Sequence, residues 1–356
     1  MLTFKEKGEI LKSMKIKSKD IARNLGLSTT TVSMALSGKK NISQQTRERI
    51  FDYIERNGGD VRQYYHPDET ERATICLVCY RKNGKVLNEA SPFFMCLLEG
   101  FQKEALKVDY HLVTLWYDEL SAGFKYLVSQ INALSPAGLV VIATEMNPED
   151  TELFEDTGIP TVYIDNSFQD IDVDTVSINN RKVVEVALNT FKKNGHERIG
   201  YLRSSIETDA FLARSQWLRV EAERKEMTID SDYIISLSPV MQEAMEEMRE
   251  YLKGHKGSFP SAFFADTDQI AIGAIKALQE VNAFAEKEIS VIGFENHPMG
   301  EMLDPPLSTL NIVKQDMAAM AINCLKKRIE KGIENHMAIY ISATYVERGT
   351  VYNRAK

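Results

Sequence analysis

The chain has 356 residues, 44% hydrophobic and 26% charged, a composition ordinary for globular protein and a length greater than one domain usually needs. Its net charge of −8 argues against nucleic acid when taken whole, but the charge is unevenly spread. Residues 1–58 hold 12 Lys and Arg against 6 Asp and Glu, and the remainder holds 31 against 45, so a basic head precedes an acidic body.

Residues 1–17 are rich in lysine, and Ile10, Leu11 and Met14 could make one extra helix face. Ser18 is placed to cap a helix beginning at Lys19, on which Ile21, Ala22 and Leu25 share a face. Gly26 follows where a helix ends, and Ser28 caps a second helix lined by Val32 and Leu36. Two short helices joined by a glycine turn form a helix-turn-helix. A third helix from Ser43 carries Ile50, Phe51 and Ile54, enough apolar surface to close a three-helix core. Residues 57–73 contain two glycines and a proline and read as a linker.

From Thr74 the pattern changes to alternating strands and helices. Strands are expected at 75–80, 111–115, 138–142, 161–164 and 175–178, with helices at 93–106, 124–132 and 150–156. The alternation resumes with helices at 181–194, 211–225, 240–253 and 269–281 and strands at 198–202, 233–236, 262–265 and 290–293. Short apolar runs at regular spacing are the mark of buried parallel strands, and two such halves imply two doubly wound subdomains. Cys76 and Cys79 form a C-x-x-C within the first strand, where residues three apart point to opposite faces. Both are read as buried apolar residues; the four cysteines imply no disulfide scaffold, and no metal or cofactor is expected. The N-terminus is charged with no apolar signal core, and no run of about 18 apolar residues occurs, so a cytoplasmic protein without a membrane role is expected.

The runs Asp20-Ile21-Ala22, Gly26-Leu27-Ser28, Thr31-Val32-Ser33, Leu36-Ser37-Gly38, Ile42-Ser43 and Thr46-Arg47 together resemble the headpiece of the lactose-repressor (LacI/GalR) family of bacterial transcription regulators. Gly195-His196 with Ile199, Asp268 with Ala271 and Gly273, Ser290 to Phe294 and Pro305 to Thr309 are similar to signatures of that family's periplasmic-binding-protein-like core. The resemblance runs to the end of the chain. It implies an all-α headpiece at 1–58, a linker at 59–73 and an α/β ligand-binding and dimerisation core at 74–356. One subdomain is expected at about 74–178 and 310–333, the other at about 179–308 and 336–352. The chain would cross between them near 178–180, 307–311 and 333–336. Family members usually follow a Tyr-x-Pro-Asn with a hinge helix whose leucine wedges into the minor groove. Here Tyr65-His66-Pro67-Asp68 is followed by Glu69 and Glu71, and the usual wedge is not expected.

The resemblance places Thr29, Thr30 and Met34 at positions facing bases. Met34 stands where many relatives carry arginine, so a bidentate guanine contact is lost. Ser28, Thr31, Ser37, Asn41, Ser43, Thr46 and Arg47 are candidates for positioning on phosphate, and Ser28 and Ser43 serve equally as helix caps. In the core, Ser91-Pro92-Phe93-Phe94 matches a family motif at the cleft mouth, and its two rings suit either a sugar face or the core. Asp165 follows a strand at the carboxyl edge where open α/β sheets bind ligands. Arg214 matches the arginine that grips polar ligand groups in relatives, and Glu295 replaces their aspartate.

The reading is a homodimeric repressor of a roughly palindromic double-stranded DNA operator, modulated by a small polar, sugar-like ligand in the inter-subdomain cleft. The alternative is a cytoplasmic solute-binding protein with no direct DNA role. An enzyme is not expected, because no Gly-x-Ser-x-Gly elbow and no acid–base constellation stands out.

Overall fold

The computed structural model describes residues 16–37, 42–59, 61, 64, 72–82, 84–87, 91–120, 123–254, 259–281, 289–332 and 335–354. Asn41, the lysine-rich extension up to residue 15 and the hinge sequence from Tyr65 to Glu71 lie outside the described residues. The chain divides into two compact units, with the boundary in sequence between Ala73 and Thr74.

The first unit holds three helices, α1 (Ser18–Leu25), α2 (Thr29–Leu36) and α3 (Gln44–Arg56). Ser18 is the first residue of α1 and not its cap; the capping position falls on Lys17, which makes no side-chain cap bond. Gly26 ends α1 at φ 65°, and its amide donates to the Ala22 carbonyl. Ala22, Ile21, Val32, Leu36, Ile50 and Ile54 are buried together, so all three helices contribute to one small core. Arg49 donates to the Leu25 carbonyl at 3.2 Å, a cation on the open end of α1.

The second unit begins with β1 (Ala73–Arg81), α4 (Pro92–Lys107), β2 (Tyr110–Asp118), α5 (Phe124–Leu134), β3 (Gly138–Ile142), α6 (Glu152–Glu155), β4 (Thr161–Ile164) and β5 (Asp174–Ile178). It continues with α7 (Asn180–Lys193), β6 (Arg198–Ser204), α8 (Asp209–Arg224), β7 (Thr228–Leu237), α9 (Met241–Gly254), β8 (Ala262–Ala265), α10 (Asp268–Glu280) and β9 (Ser290–Phe294). The last elements are β10 (Ser308–Asn311), α11 (Lys314–Lys331), β11 (Ala338–Ile341) and β12 (Thr344–Val346). They form two six-stranded sheets, β11-β5-β4-β3-β1-β2 and β12-β10-β9-β8-β6-β7. The inner strands pair in parallel, and β12 joins β10 antiparallel. Cys76 packs with Val78 and Tyr80, and Cys79 with Ile75 and Leu77, on opposite faces of β1.

The chain passes between the subdomains after β5, after β10 and after β11. The third passage therefore falls at Ser342–Ala343, beyond the 333–336 expected, and 338–341 belongs to the first subdomain and not the second. Asp174 explains the difference. Its buried carboxylate takes the Arg328 fork at 2.8 and 2.7 Å and the Met337 amide at 2.8 Å, which seats β11 beside β5. Among the described residues no helix is long and apolar enough to cross a membrane.

Candidate functional site

Two sets of side chains carry the chemistry. In the headpiece, Ser28 caps α2 by accepting from the Thr31 amide at 2.9 Å, and Ser43 caps α3 by accepting from the Thr46 amide at 3.2 Å. In both caps the two hydroxyls also meet at 2.8 Å, so the same four-residue device opens each helix. Thr29 and Thr30 are exposed on α2, and Thr31, Met34 and Ser37 are half-buried. Thr30, Met34 and Ser37 are spaced four and three apart and share one face. The exposed Ser33 adjoins this set and was not singled out by sequence. Arg47 is half-buried near the start of α3.

In the core, the carboxyl ends of both sheets face a cleft. Phe93, Asp165, Arg214 and Glu295 all line one cavity there, of about 50 Å³. Phe94 does not: it is buried in the core and packs against Trp116, ring centroids 5.1 Å apart. Neighbours on a helix point about 100° apart, so one ring of the pair turns to the cleft and the other inward.

Arg214 is 2% exposed. Its guanidinium lies between the rings of Phe211 and Phe294, at 5.0 and 4.5 Å. Nη1 donates to Asn180 Oδ1 at 3.0 Å and Nε faces Asp266 Oδ1 at 3.4 Å. Asp266 is fixed in turn by the Tyr201 hydroxyl at 2.6 Å and the Ser204 amide at 2.7 Å. The fork is thus held rigid on one side while the residue borders the cavity on the other.

Asp165 sits at φ 63° and accepts from the Thr144 hydroxyl at 2.7 Å. Burial pushes its carboxyl up to about 6, against the opposing pull of that hydrogen bond and of Arg214. Burial pushes Glu295 further, to about 8, although Lys314 opposes it. At neutral pH Glu295 is therefore largely protonated and offers a donor as well as an acceptor. The Lys314 ammonium, from the first subdomain, donates to the Glu295 backbone carbonyl in the second and stands 5.6 Å from the Phe93 ring. Burial pulls its pKa down. Beneath Glu295, Asp268 accepts from Thr309 and from the His297 amide, each at 2.6 Å. A Cβ on Gly293 would come within 2.0 Å of Asp268 Oδ1, so only glycine fits there.

Sequence reasoning missed Lys85, Thr144, Asp266 and Lys314. Asp266 had a readable signal, since it directly follows β8 just as Asp165 follows β4. Lys314 had none, because its place depends on where α11 docks. Besides Lys314, further contacts among the described residues tie the subdomains across the cleft edge: Lys85 meets Glu243 at 2.8 Å, and Asp209 accepts from the Ser167 amide at 3.1 Å and its hydroxyl at 2.9 Å. The loop bearing Lys85 is organised by the buried Glu145, whose carboxylate accepts from the amides of Lys82, Val86 and Leu87 at 2.7 to 3.2 Å.

A family model described as bacterial regulatory proteins, lacI family, matches residues 17–58, and one described as a periplasmic binding protein-like domain matches 188–351. The HTH-type transcriptional repressor PurR of Actinobacillus pleuropneumoniae serotype 3 is 23% identical over 312 residues, 88% of this chain and 90% of that protein. The ribose operon repressor of Haemophilus influenzae is 23% identical over 336 residues, 94% of this chain and 98% of the relative. A transcriptional regulator CelR–cellobiose complex superposes with a TM-score of 0.69 at 19% identity, covering 94% of this chain and 100% of that one. The lac repressor dimer bound to operator and an anti-inducer gives 0.69 at 17% identity, covering 95% and 99%. The helix-turn-helix headpiece thus matches the lacI family of bacterial regulatory proteins, and the two-subdomain core that follows matches the periplasmic-binding-protein-like domain.

Proposed function

We infer that this protein is a transcription repressor whose hold on operator DNA is modulated by a small polar ligand in the cleft. The observation that carries the reading is the presence in one chain of a lacI-family headpiece, with exposed threonines along its second helix, and a core closed around a charged cavity. The relatives named above are repressors, and the solved neighbours include a dimer on operator DNA and a complex with a disaccharide. By that likeness the protein acts as a homodimer on a two-fold site in the cytoplasm and performs no catalysis.

In this reading Thr29, Thr30 and Met34 meet base edges, and Ser28, Thr31, Ser37, Asn41, Ser43, Thr46 and Arg47 hold the backbone. Arg214, Asp165, Glu295 and Phe93 contact the ligand: a rigid fork, an acceptor, a protonated carboxyl and a ring. That set suits vicinal hydroxyls above an apolar face, as in a sugar or nucleoside. A cavity of about 50 Å³ is far below the roughly 300 Å³ of a usual ligand pocket, so the subdomains must part to admit such a molecule. Ligand entry and subdomain angle are then the same event, which is how a cleft can report to a headpiece.

Gel shift against genomic fragments at physiological salt, joined to a thermal-shift screen with sugars, nucleosides and sugar phosphates, tests this. Discrete shifted bands and a ligand that changes them are expected. A protein that is stabilised by a ligand but retards no fragment would be a solute-binding protein instead.

A further inference from the structure

A second pocket, of about 420 Å³, opens on the flank of the second subdomain between the carboxyl end of β6 and the outer face of α8. Leu212, Ser215 and Arg219 are spaced three and four apart on α8 and form one wall, with Val220 beside them. Arg203 faces them from β6, and Tyr201 and Asp266 make the floor.

Its charges are set for an anion. Arg219 is exposed and makes no ion pair or hydrogen bond among the described residues. Among the described residues Arg203 pairs with Glu207 alone, at 3.4 Å, and that carboxylate is 66% exposed and easily exchanged. Two acids line the pocket: Glu207, the exposed partner of Arg203, and Asp266, which is already engaged by the Tyr201 hydroxyl, the Ser204 amide and Arg214 and so adds little repulsion. The pocket is also larger than an inorganic ion needs, and Leu212 and Val220, 44% and 50% exposed, give it an apolar side.

We propose that this pocket is a second ligand site, separate from the cleft, for a small organic oxyanion whose charge is gripped by Arg203 and Arg219 and whose apolar body rests on Leu212 and Val220. Bidentate guanidinium geometry matches carboxylate and phosphate alike. Phe211 borders both cavities, and Arg214 on the cleft side pairs with Asp266 on the flank side, so the two sites share a wall.

Calorimetric titration of the full chain with phenyl phosphate, benzoate and inorganic phosphate tests the proposal, the first two distinguishing a phosphate from a carboxylate ligand. Saturable one-to-one binding of at least one organic anion is expected, tighter than inorganic phosphate. Arg219→Ala should weaken it by roughly tenfold or more, and Arg203→Ala with Arg219→Ala should abolish it. Leu212→Asp, also at an exposed position, should reject the same anion by charge. An unchanged thermal midpoint confirms that each variant is folded. Absence of saturable binding by both organic anions would overturn the proposal. So would equal binding by the double variant, which would place the anion on the basic headpiece.

Discussion

The ammonium of Lys85 lies 2.8 Å from Oε2 of Glu243 across the edge of the cleft, joining a loop of the first subdomain to α9 of the second. Ser238 donates to the same oxygen at 2.7 Å, so the carboxylate is oriented before the lysine arrives. With Ser167 and Asp209 it forms a pair of fasteners at the subdomain seam. Replacing Glu243 with Gln and Asp209 with Asn together should raise the open fraction with little effect on thermal midpoint. Small-angle scattering should then show a larger radius of gyration, which ligand restores. An unchanged scattering profile would mean that the seam contacts do not control the angle.

Arg214→Ala should cost about 2–4 kcal/mol of ligand affinity, the penalty for removing one charged partner in a dry site. It also strips Asp266 of its cation, and an uncompensated buried acid destabilises by about 3 kcal/mol. Calorimetry and thermal melts should both move. A fall in stability with unchanged ligand affinity would make Arg214 a structural residue only.

Glu295 gives a pH signature. Its carboxyl titrates near 8 when folded and near its ordinary 4.5 when unfolded. The folded state therefore binds this proton more tightly, and stability is full below 4.5 and lost as pH rises through 8. Asp165, raised to about 6, adds a smaller loss over the lower part of that window. Thermal midpoints should fall from pH 5 to pH 9, and Glu295→Gln should flatten the upper half. A wild-type slope unchanged by the substitution would assign the titration elsewhere.

Gly293→Ala should drive Asp268 from its bonds with Thr309 and the His297 amide and cost on the order of 2–4 kcal/mol. The cost should shrink when Asp268 is already alanine, because the clash is then gone. Strictly additive losses in this double-mutant cycle would refute the steric account.

On DNA, Arg47→Ala should weaken binding to all sequences and reduce the salt slope by about one. Met34→Arg should instead change which half-site sequences are selected. An identical selected logo for wild type and Met34→Arg would take that helix face out of the major groove.

Much of this was readable from residues. Ser28, Ser43, Gly26 and the 3–4 spacing of Ile21, Ala22 and Leu25 each act within a turn or two, so sequence exposes them directly. The inner strands β3, β5, β8 and β9 were legible because both faces are buried. β11 and β12 were not: they are four and three residues long, contain only exposed and half-buried positions, and owe their place to Asp174 and to pairing with β10. Phe93 and Phe94 could not be told apart without the direction in which α4 docks. Lys314 and Lys85 reach the cleft only through tertiary packing, and nothing local marks them.

Glu145 has a consequence for how such a protein can change its taste. A carboxylate from outside the loop holds the amides of Lys82, Val86 and Leu87, so the backbone at these residues does not depend on the side chains at 85 and 86. Lys85, Val86 and Leu87 line the cavity from this fixed frame. Lineages or libraries can therefore exchange residue 86 to recognise a new effector without re-evolving the turn, as long as Glu145 stays, whereas a change at 85 also gives up the contact with Glu243.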